Sequence, residues 1–277
     1  MPIAVLDTLT ENFDEFVRGF WTTVELVVVS FVIAMAVGTL VAAFRVAPNS
    51  WLNRIGGLAL SPDGGTAAVV VTSYDIEKNK GNGDIWLLSV ADGSARRFTT
   101  GPSTEGGPTW SPDGSMIAFT AKRDEDERAQ LYVIPTSGGE ARRVTDMPMG
   151  VSNLHWFPDG KRVAFVSSML PRYGTDFDSL RAEIKRRKDS KISAKITEDR
   201  VYRYWDHSLT DGYVQHIYSV DIESETVTDL TPRMDRLFSY TGGVDYDLSP
   251  DGEEITVSAL ISGPPYDELY FDIFLIP

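Results

Sequence analysis

The 277-residue sequence predicts an all-β fold, an incomplete β-propeller of about four blades with four antiparallel strands each, preceded by one transmembrane α-helix. Three observations carry that expectation. The run from Leu26 to Phe44 is apolar and free of charge. A phrase built on Pro-Asp-Gly returns four times after residue 57. Between those phrases the chain alternates polar and apolar residues in short runs bounded by Gly, Pro, Asp and Ser, which is the pattern of strands and not of helices. Hydrophobic residues make up 42% and charged residues 24%, a globular composition. With 26 basic against 40 acidic residues the formal charge is −14, which argues against a surface wrapping nucleic-acid phosphates, so no nucleic-acid partner is expected. The absence of cysteine excludes disulfides, thiolate zinc sites, iron–sulfur clusters and a cysteine nucleophile.

Taken in chain order, the first element is the membrane helix, expected over about residues 20–44. Its uncharged run has the length of a bilayer core, and the segment before it is acidic where a signal peptide would be basic. Asp7, Glu11, Asp14 and Glu15 precede it, whereas Arg45 and Arg54 follow it. The positive-inside tendency then puts the N-terminus outside and Arg45 in the cytoplasm, making a single-pass protein with a cytoplasmic propeller. Glu25 falls at the outer boundary of the run and reads as an interfacial, solvated carboxylate. Residues 10–57, with Gly19, Thr22, Thr23, Gly38 and Arg45, resemble the first transmembrane helix and following loop of a polar amino-acid ABC transporter permease. That resemblance implies several further apolar helices, and no second run of comparable length follows Phe44.

The repeated phrases are LSPDGGTAAVVV from Leu60, WSPDGSMIAFTA from Trp110, WFPDGKRVAFVS from Trp156 and LSPDGEEITVSA from Leu248. Pro fixes φ, Asp bonds back to the backbone and Gly accepts positive φ, so each phrase is a tight turn feeding a strand. A second strand rich in aromatic and branched residues follows (DIWLLSV, QLYVIPT, HIYSVDI, FDIFLIP), then a turn such as ADG or SGG and a strand such as ARRFTT, ARRVTD or TVTDLT. Four strands in up-and-down order make one propeller blade. The prolines at 62, 112 and 158 are separated by 50 and 46 residues, and the next, at 250, lies 92 further on. Between Lys161 and Asp229 only one complete set of strands occurs, so the excess is an insertion over about residues 169–214. The fourth blade reaches its third strand at Pro277.

The insertion carries SLRAEIKRRKDSKISAKI, a basic run on a predicted helix, followed by RVYRYWDHSLTDGY. Its basic helix could dock nucleic acid or an acidic partner, but the plainer reading is a solvated helix or arm whose charge offsets the acidic blades. Tyr202, Tyr204 and Trp205 are expected to pack on a blade edge. With SPDG repeats, Ile-Ala-Phe strands, LYVIPTSGGEARRVTD and the inserted RYWDH...DGY, residues 58–277 resemble the N-terminal propeller of the prolyl oligopeptidase family of serine peptidases, in its acylaminoacyl-peptidase and dipeptidyl-peptidase-like branches. A single SPDG repeat would fit any TolB-type propeller. The resemblance implies a seven- or eight-bladed ring that caps an α/β-hydrolase domain and limits which peptides reach a Ser-Asp-His triad.

The chemistry of such a hydrolase needs a Gly-x-Ser-x-Gly elbow, which exposes the serine beside backbone donors. Residues 1–277 contain none; Gly101-Pro-Ser-Thr-Glu105 lacks the second glycine and falls between blades. His155, His207 and His216 form no HExxH or close pair for zinc. Gly81-Asn-Gly83 lacks the strand–loop–helix setting of a phosphate loop and is expected in a hairpin turn. Asp245 and Asp247 alternate at a strand start, where solvated polarity is expected before a calcium site. No catalytic, cofactor or metal residue is therefore assigned. The expected organisation is a permease-like segment, 1–57, fused to a partial propeller, 58–277, truncated before the hydrolase domain, and not itself an enzyme. Its expected role is gating or binding of peptides, with the alternatives of a permease fragment accidentally fused to blades or a membrane-tethered interaction scaffold. Expected partners are peptides, a hydrolase domain from another chain, the membrane through 20–44, and further copies through open blade edges at Tyr270, Phe271, Ile273 and Phe274.

Overall fold

The computed structural model describes Trp21 and residues 58–277, except 78, 102, 124–125, 193–202, 205–206, 209–210, 235–236, 240–242 and 263–269. The chain divides into two compact units, Met1–Gly56 and Gly57–Pro277. Apart from Trp21, the helix expected over 20–44 and the permease-like stretch 10–57 lie outside the described residues. Among the described residues no helix is long and apolar enough to cross a membrane.

The second unit is built from successive antiparallel meanders. The first sheet runs β1 (Leu58–Leu60), β2 (Thr66–Asp75), β3 (Lys80–Ser89) and β4 (Ala95–Arg97). The second runs β5 (Glu105–Trp110), β6 (Met116–Ala121), β7 (Gln130–Pro135) and β8 (Arg142–Arg143). In the third, β9 (Ser152–Trp156) and β10 (Arg162–Met169) are followed by the insertion, and β13 (Val214–Asp221) and β14 (Val227–Asp229) complete the sheet. The fourth holds β15 (Tyr246–Leu248), β16 (Ile255–Leu260) and β17 (Phe271–Ile276). Four sheets of this order are propeller blades.

In each blade the same turn joins the first strand to the second. The amide of the glycine donates to the carbonyl three residues earlier: Gly64 to Ser61 at 2.9 Å, Gly114 to Ser111 at 2.9 Å, Gly160 to Phe157 at 3.0 Å and Gly252 to Ser249 at 2.9 Å. These glycines have φ between 65° and 73°, a region other residues enter at a cost. In the first and second blades the serine hydroxyl donates to the turn aspartate at 2.6 Å. That bond, then the backbone N–H of Ser115, holds the Asp113 carboxyl down at about 2. In the third blade Phe157 replaces the serine, and Asp159 instead accepts from the backbone of Lys161 and from Arg162 Nε at 2.8 Å.

The core lies between blades. Ala68, Ile85 and Leu87 of the first blade pack on Ile117, Phe119 and Ala121 of the second. Ala118, on the other face of the same strand, joins Val163 and Phe165 of the third. Ala164 and Val166, alternating with those, pack on Val257 and Ala259 of the fourth. Middle strands therefore face two apolar neighbours and read as unbroken hydrophobic runs. Polar rungs repeat the arrangement along the first strands. Trp110 Nε1 donates to Ala59 O at 2.9 Å, Trp156 Nε1 to Thr109 O at 3.1 Å, and the Tyr246 hydroxyl to Asn153 O at 2.7 Å.

Three expectations need correction. Gly81 and Gly83 lie inside β3, paired with Tyr74 and Thr72, and not in a hairpin turn. A side chain on Gly83 would meet Val70, Thr104 and the Glu105 carbonyl at 3.0–3.2 Å, so this glycine admits the loop from the next blade, whereas one on Gly81 would meet Tyr74 and Thr72 of its own hairpin. Phe274 is not part of the exposed edge: with Ile276 it packs against the core shared by the third and fourth blades. Phe271, Ile273 and Leu275 point to the opposite face, where Ile273 is 75% and Leu275 59% exposed. The insertion is not a solvated arm. Its helix, α1 (Phe177–Asp189), is capped by Asp176, which accepts from Ser179 N at 3.0 Å, and it buries Leu180 in the core between the second and third blades.

The stacking of turns can be tested by two glycines of equal backbone strain. A Cβ at Gly252 would lie 3.1 Å from Pro158 Cδ in the neighbouring turn, whereas one at Gly93 meets nothing within 4 Å. Ala at either position costs about 1–2 kcal/mol of φ strain, and G252A is expected to lower the melting temperature further than G93A; equal losses would refute the inter-blade contact. The turn aspartates set an acid window. Because folding lowers the Asp113 pKa from 3.8 to about 2, its contribution is present above pH 4 and disappears as the pH falls through 2. The gap in melting temperature between wild type and D113A should close over that range, and a gap independent of pH would contradict the assignment.

Candidate functional site

His155 and His216 are engaged in the scaffold. His155 lies in β9 and stacks on Tyr246 of the fourth blade, with centroids 4.4 Å apart. His216, in β13, is buried; its Nδ1 is 2.8 Å from Asp229 Oδ2 and its Nε2 2.7 Å from the Met234 carbonyl. The pair looks like the Asp-His half of a triad, but with Nε2 committed to a backbone oxygen no nitrogen faces a substrate. It ties the outer strand of the third blade to the linker that follows. His207 belongs to β12 (His207–Ser208), which pairs with β11 (Arg203–Tyr204) in the insertion; its side chain, with those of Tyr202, Tyr204 and Trp205, lies outside the described residues. Asp245 and Asp247 are both exposed on one face at the start of the fourth blade. Among the described residues no three His, Asp or Glu side chains stand close enough to hold a metal ion.

Sequence reasoning weighed Gly101–Glu105 as a nucleophile loop and missed what Glu105 does. Glu105 opens β5, is fully buried and forms an ion pair with Arg123, just beyond β6. The Arg123 guanidinium lies over the Tyr132 ring at 5.0 Å and the Phe119 ring at 5.4 Å. Its backbone N–H and the Tyr132 hydroxyl both donate to Asp126 Oδ2, at 3.1 and 2.8 Å. Burial first, and then that bond to a carboxylate, push the Tyr132 hydroxyl up to about 12. A Cβ at Gly101 would come 3.0 Å from Glu105 Oε1, so the glycine of the loop makes room for the pair. The available signal was a lone Glu at a strand start and a lone Arg after the next strand, which no local spacing connects.

The insertion lines two clefts. Glu183 of α1 is buried and receives three arginines: Arg172 at 2.9 Å, Arg187 at 2.8 Å, and Arg186 through two bonds of 2.7 and 2.8 Å. The bonds from Arg186 and then Arg187 hold its carboxyl far below the usual carboxylate range. Arg187 also donates to Asp211 O at 2.7 Å and lies over Tyr213, which closes the base of the insertion. Arg181, on another face of the helix, bonds Asp146 Oδ2 at 2.6 Å, and Asp146 pairs in turn with Arg143. Two clefts share this Arg143–Asp146–Arg181 bridge in their walls. One, of about 560 Å³, is also lined by Thr175, Phe177, Glu225 and Val227. The other, of about 570 Å³, lies between α1 and the second blade and carries Arg128, Met147, Pro148, Ile184, Lys185 and Lys188. The arrangement offers charged and apolar contacts to a ligand and no nucleophile–base pair.

The clamp on Glu183 predicts a protease-sensitive variant. Removing the charge in E183Q leaves three arginines sharing a neutral amide, so the charge-assisted bonds that hold this turn of α1 are weakened together. Trypsin is expected to cut after Arg186 or Arg187 at least about tenfold faster than in wild type, the factor that 1.4 kcal/mol produces. Unchanged cleavage, followed by mass spectrometry, would show that α1 is held without the Glu183 clamp, by Leu180 and the Arg181–Asp146 pair.

Residues 80–177 match the family model described as the Tricorn protease N-terminal beta propeller domain. The chain is 27% identical over 214 residues to dipeptidyl-peptidase 5 of Porphyromonas endodontalis, an alignment covering 74% of this chain and 29% of that protein. It is 41% identical over 69 residues to dipeptidyl-peptidase 5 of Porphyromonas gingivalis, covering 24% of this chain and 10% of that one. The chain thus spans less than a third of these curated relatives. Its fold is similar to that of the acylaminoacyl peptidase of Pyrococcus horikoshii, with a TM-score of 0.55 at 20% identity, over 79% of this chain and 30% of the other. The chain carries a β-propeller domain related to the propeller domains of peptidases.

Proposed function

We propose that residues 58–277 are the non-catalytic, peptide-binding or peptide-gating propeller of a serine peptidase-like protein, and that hydrolysis belongs to an α/β-hydrolase domain not encoded in residues 1–277. The observation that carries this reading is the 214-residue alignment with a dipeptidyl-peptidase, which covers 74% of this chain. Blades present loops and clefts but supply no nucleophile, and residues 1–277 hold no Gly-x-Ser-x-Gly elbow. The proposal extends to a membrane anchor over 20–44 with the propeller on the cytoplasmic side, supported by the uncharged run and by Arg45 and Arg54 after it. It also includes association through the face of β17 that exposes Ile273 and Leu275, since the equivalent strands β7 and β13 are buried almost throughout.

The purified full chain is expected to give no turnover of aminoacyl or dipeptidyl nitroanilides; activity that survives repurification would sink the non-catalytic reading. It is expected to stay in the pellet after carbonate extraction, and its release would remove the anchor. Replacing both exposed side chains, I273K with L275K, should lower the average mass seen by light scattering in detergent, and an unchanged mass would exclude this face.

A further inference from the structure

The cleft of about 570 Å³ between α1 and the second blade has a definite charge pattern. Arg181, Lys185 and Lys188 fall at i, i+4 and i+7 and form one stripe along the helix, lining the cleft together. Arg181 is neutralised by Asp146, and Arg143 on the opposite wall is shared between Asp146 and Asp126. Those two carboxylates are therefore occupied; Asp126 also accepts from the Tyr132 hydroxyl. Lys185 and Lys188, one and two turns beyond Arg181, and Arg128 across from them make no ion pair among the described residues, and all three are exposed. The remaining carboxylates of the lining, Glu127 and Asp189, are exposed too, so the unpaired groups leave an excess of one positive charge. Elsewhere the chain is acidic, with a formal charge of −14. Met147, Pro148 and Ile184 add an apolar strip beside the cations.

We infer that this cleft binds a peptide segment carrying one carboxylate next to an apolar side chain, with the carboxylate on Lys185, Lys188 and Arg128 and the apolar group against Met147, Pro148 and Ile184. An excess of a single charge fits one carboxylate. A polyanion would bring further charges against Glu127, Asp189 and the acidic blades, where each is repelled. Lys185 and Lys188 do not serve the fold, because the side chains that hold α1 in place, Arg172, Arg181, Arg186 and Arg187, are engaged with Glu183, Asp146 and Asp178. The inference deepens the peptide-binding reading and names the contact that reading lacks.

The test uses the purified full chain in detergent and three rhodamine-labelled peptides followed by anisotropy. One is amidated and has a single Glu between two Leu, the second has Gln in place of Glu, and the third is the Gln peptide with a free carboxyl terminus. The Glu peptide is expected to bind about tenfold tighter than the amidated Gln peptide at low salt, and the advantage should shrink at 0.5 M salt. K185E with K188E should abolish the advantage, while K161E, at an exposed turn outside the cleft, should leave it intact. Preference for the free terminus over the Glu side chain would assign the carboxylate to a chain end. Equal binding of the Glu and Gln peptides, or an advantage that survives K185E with K188E in a chain that melts like wild type, overturns the cleft but leaves peptide binding standing. Failure of all three peptides overturns both, and tighter binding of polyglutamate overturns the single-carboxylate assignment.

Discussion

The second unit depends on contact between successive blades. No blade contains a core of its own, because a four-stranded sheet is one layer and has nothing to close on. Apolar side chains alternate along β10, Val163 and Phe165 towards the second blade, Ala164 and Val166 towards the fourth, so removing either neighbour uncovers half of the strand. Positioning falls to polar groups at the ends of the sheets. Indole N–H groups reach the preceding first strand, and each turn glycine sits against the proline of the turn before it: Gly114 on Pro62, Gly160 on Pro112 and Gly252 on Pro158. These fixed points set the spacing between sheets, while burial supplies most of the stabilisation, about 25 cal/mol for each Å² of apolar surface removed from water.

This layout explains which parts were legible in the sequence. Pro-Asp-Gly encodes its own geometry within four residues, and strand alternation is local, so the blades and the position of the insertion could be read directly. Phe274 could not be placed, since whether it or Ile273 faces inward depends on the register of β16 with β17, in which Val257 pairs with Phe274 and Ser258 with Ile273. Gly81 and Gly83 misled because a glycine that makes a turn and one that makes room inside a strand, for a cross-strand side chain at Gly81 or for the Glu105 carbonyl at Gly83, look alike in one dimension. Glu105 and Arg123 meet only through the pairing of β5 with β6, in which Glu105 stands opposite Ala121, and no spacing rule in the sequence links them.

The insertion illustrates a similar limit for charge. A run of Lys and Arg in the sequence suggests a uniform basic surface. In the fold, the arginines are spent on Glu183, Asp146 and backbone carbonyls, and the lysines remain open. Arginine suits the fixed, forked geometry around one carboxylate, whereas lysine keeps a mobile point charge at the cleft. What looked like one property of a helix is two, divided between its arginines and its lysines.

The pairing of β10 with β13 runs without a slip from Arg162↔Asp221 to Met169↔Val214, and residues 170–213 leave and re-enter the sheet at that last rung. The two ends are therefore held as neighbours by the ladder whatever lies between them. Closing a longer loop between anchored ends costs only about 0.6 kcal/mol for each doubling of its length. The third blade accordingly has a port at which segments of different length and composition can be exchanged without disturbing sheet register. Surface variety can accumulate there, and a grafted module would inherit a fixed point of attachment beside the second blade.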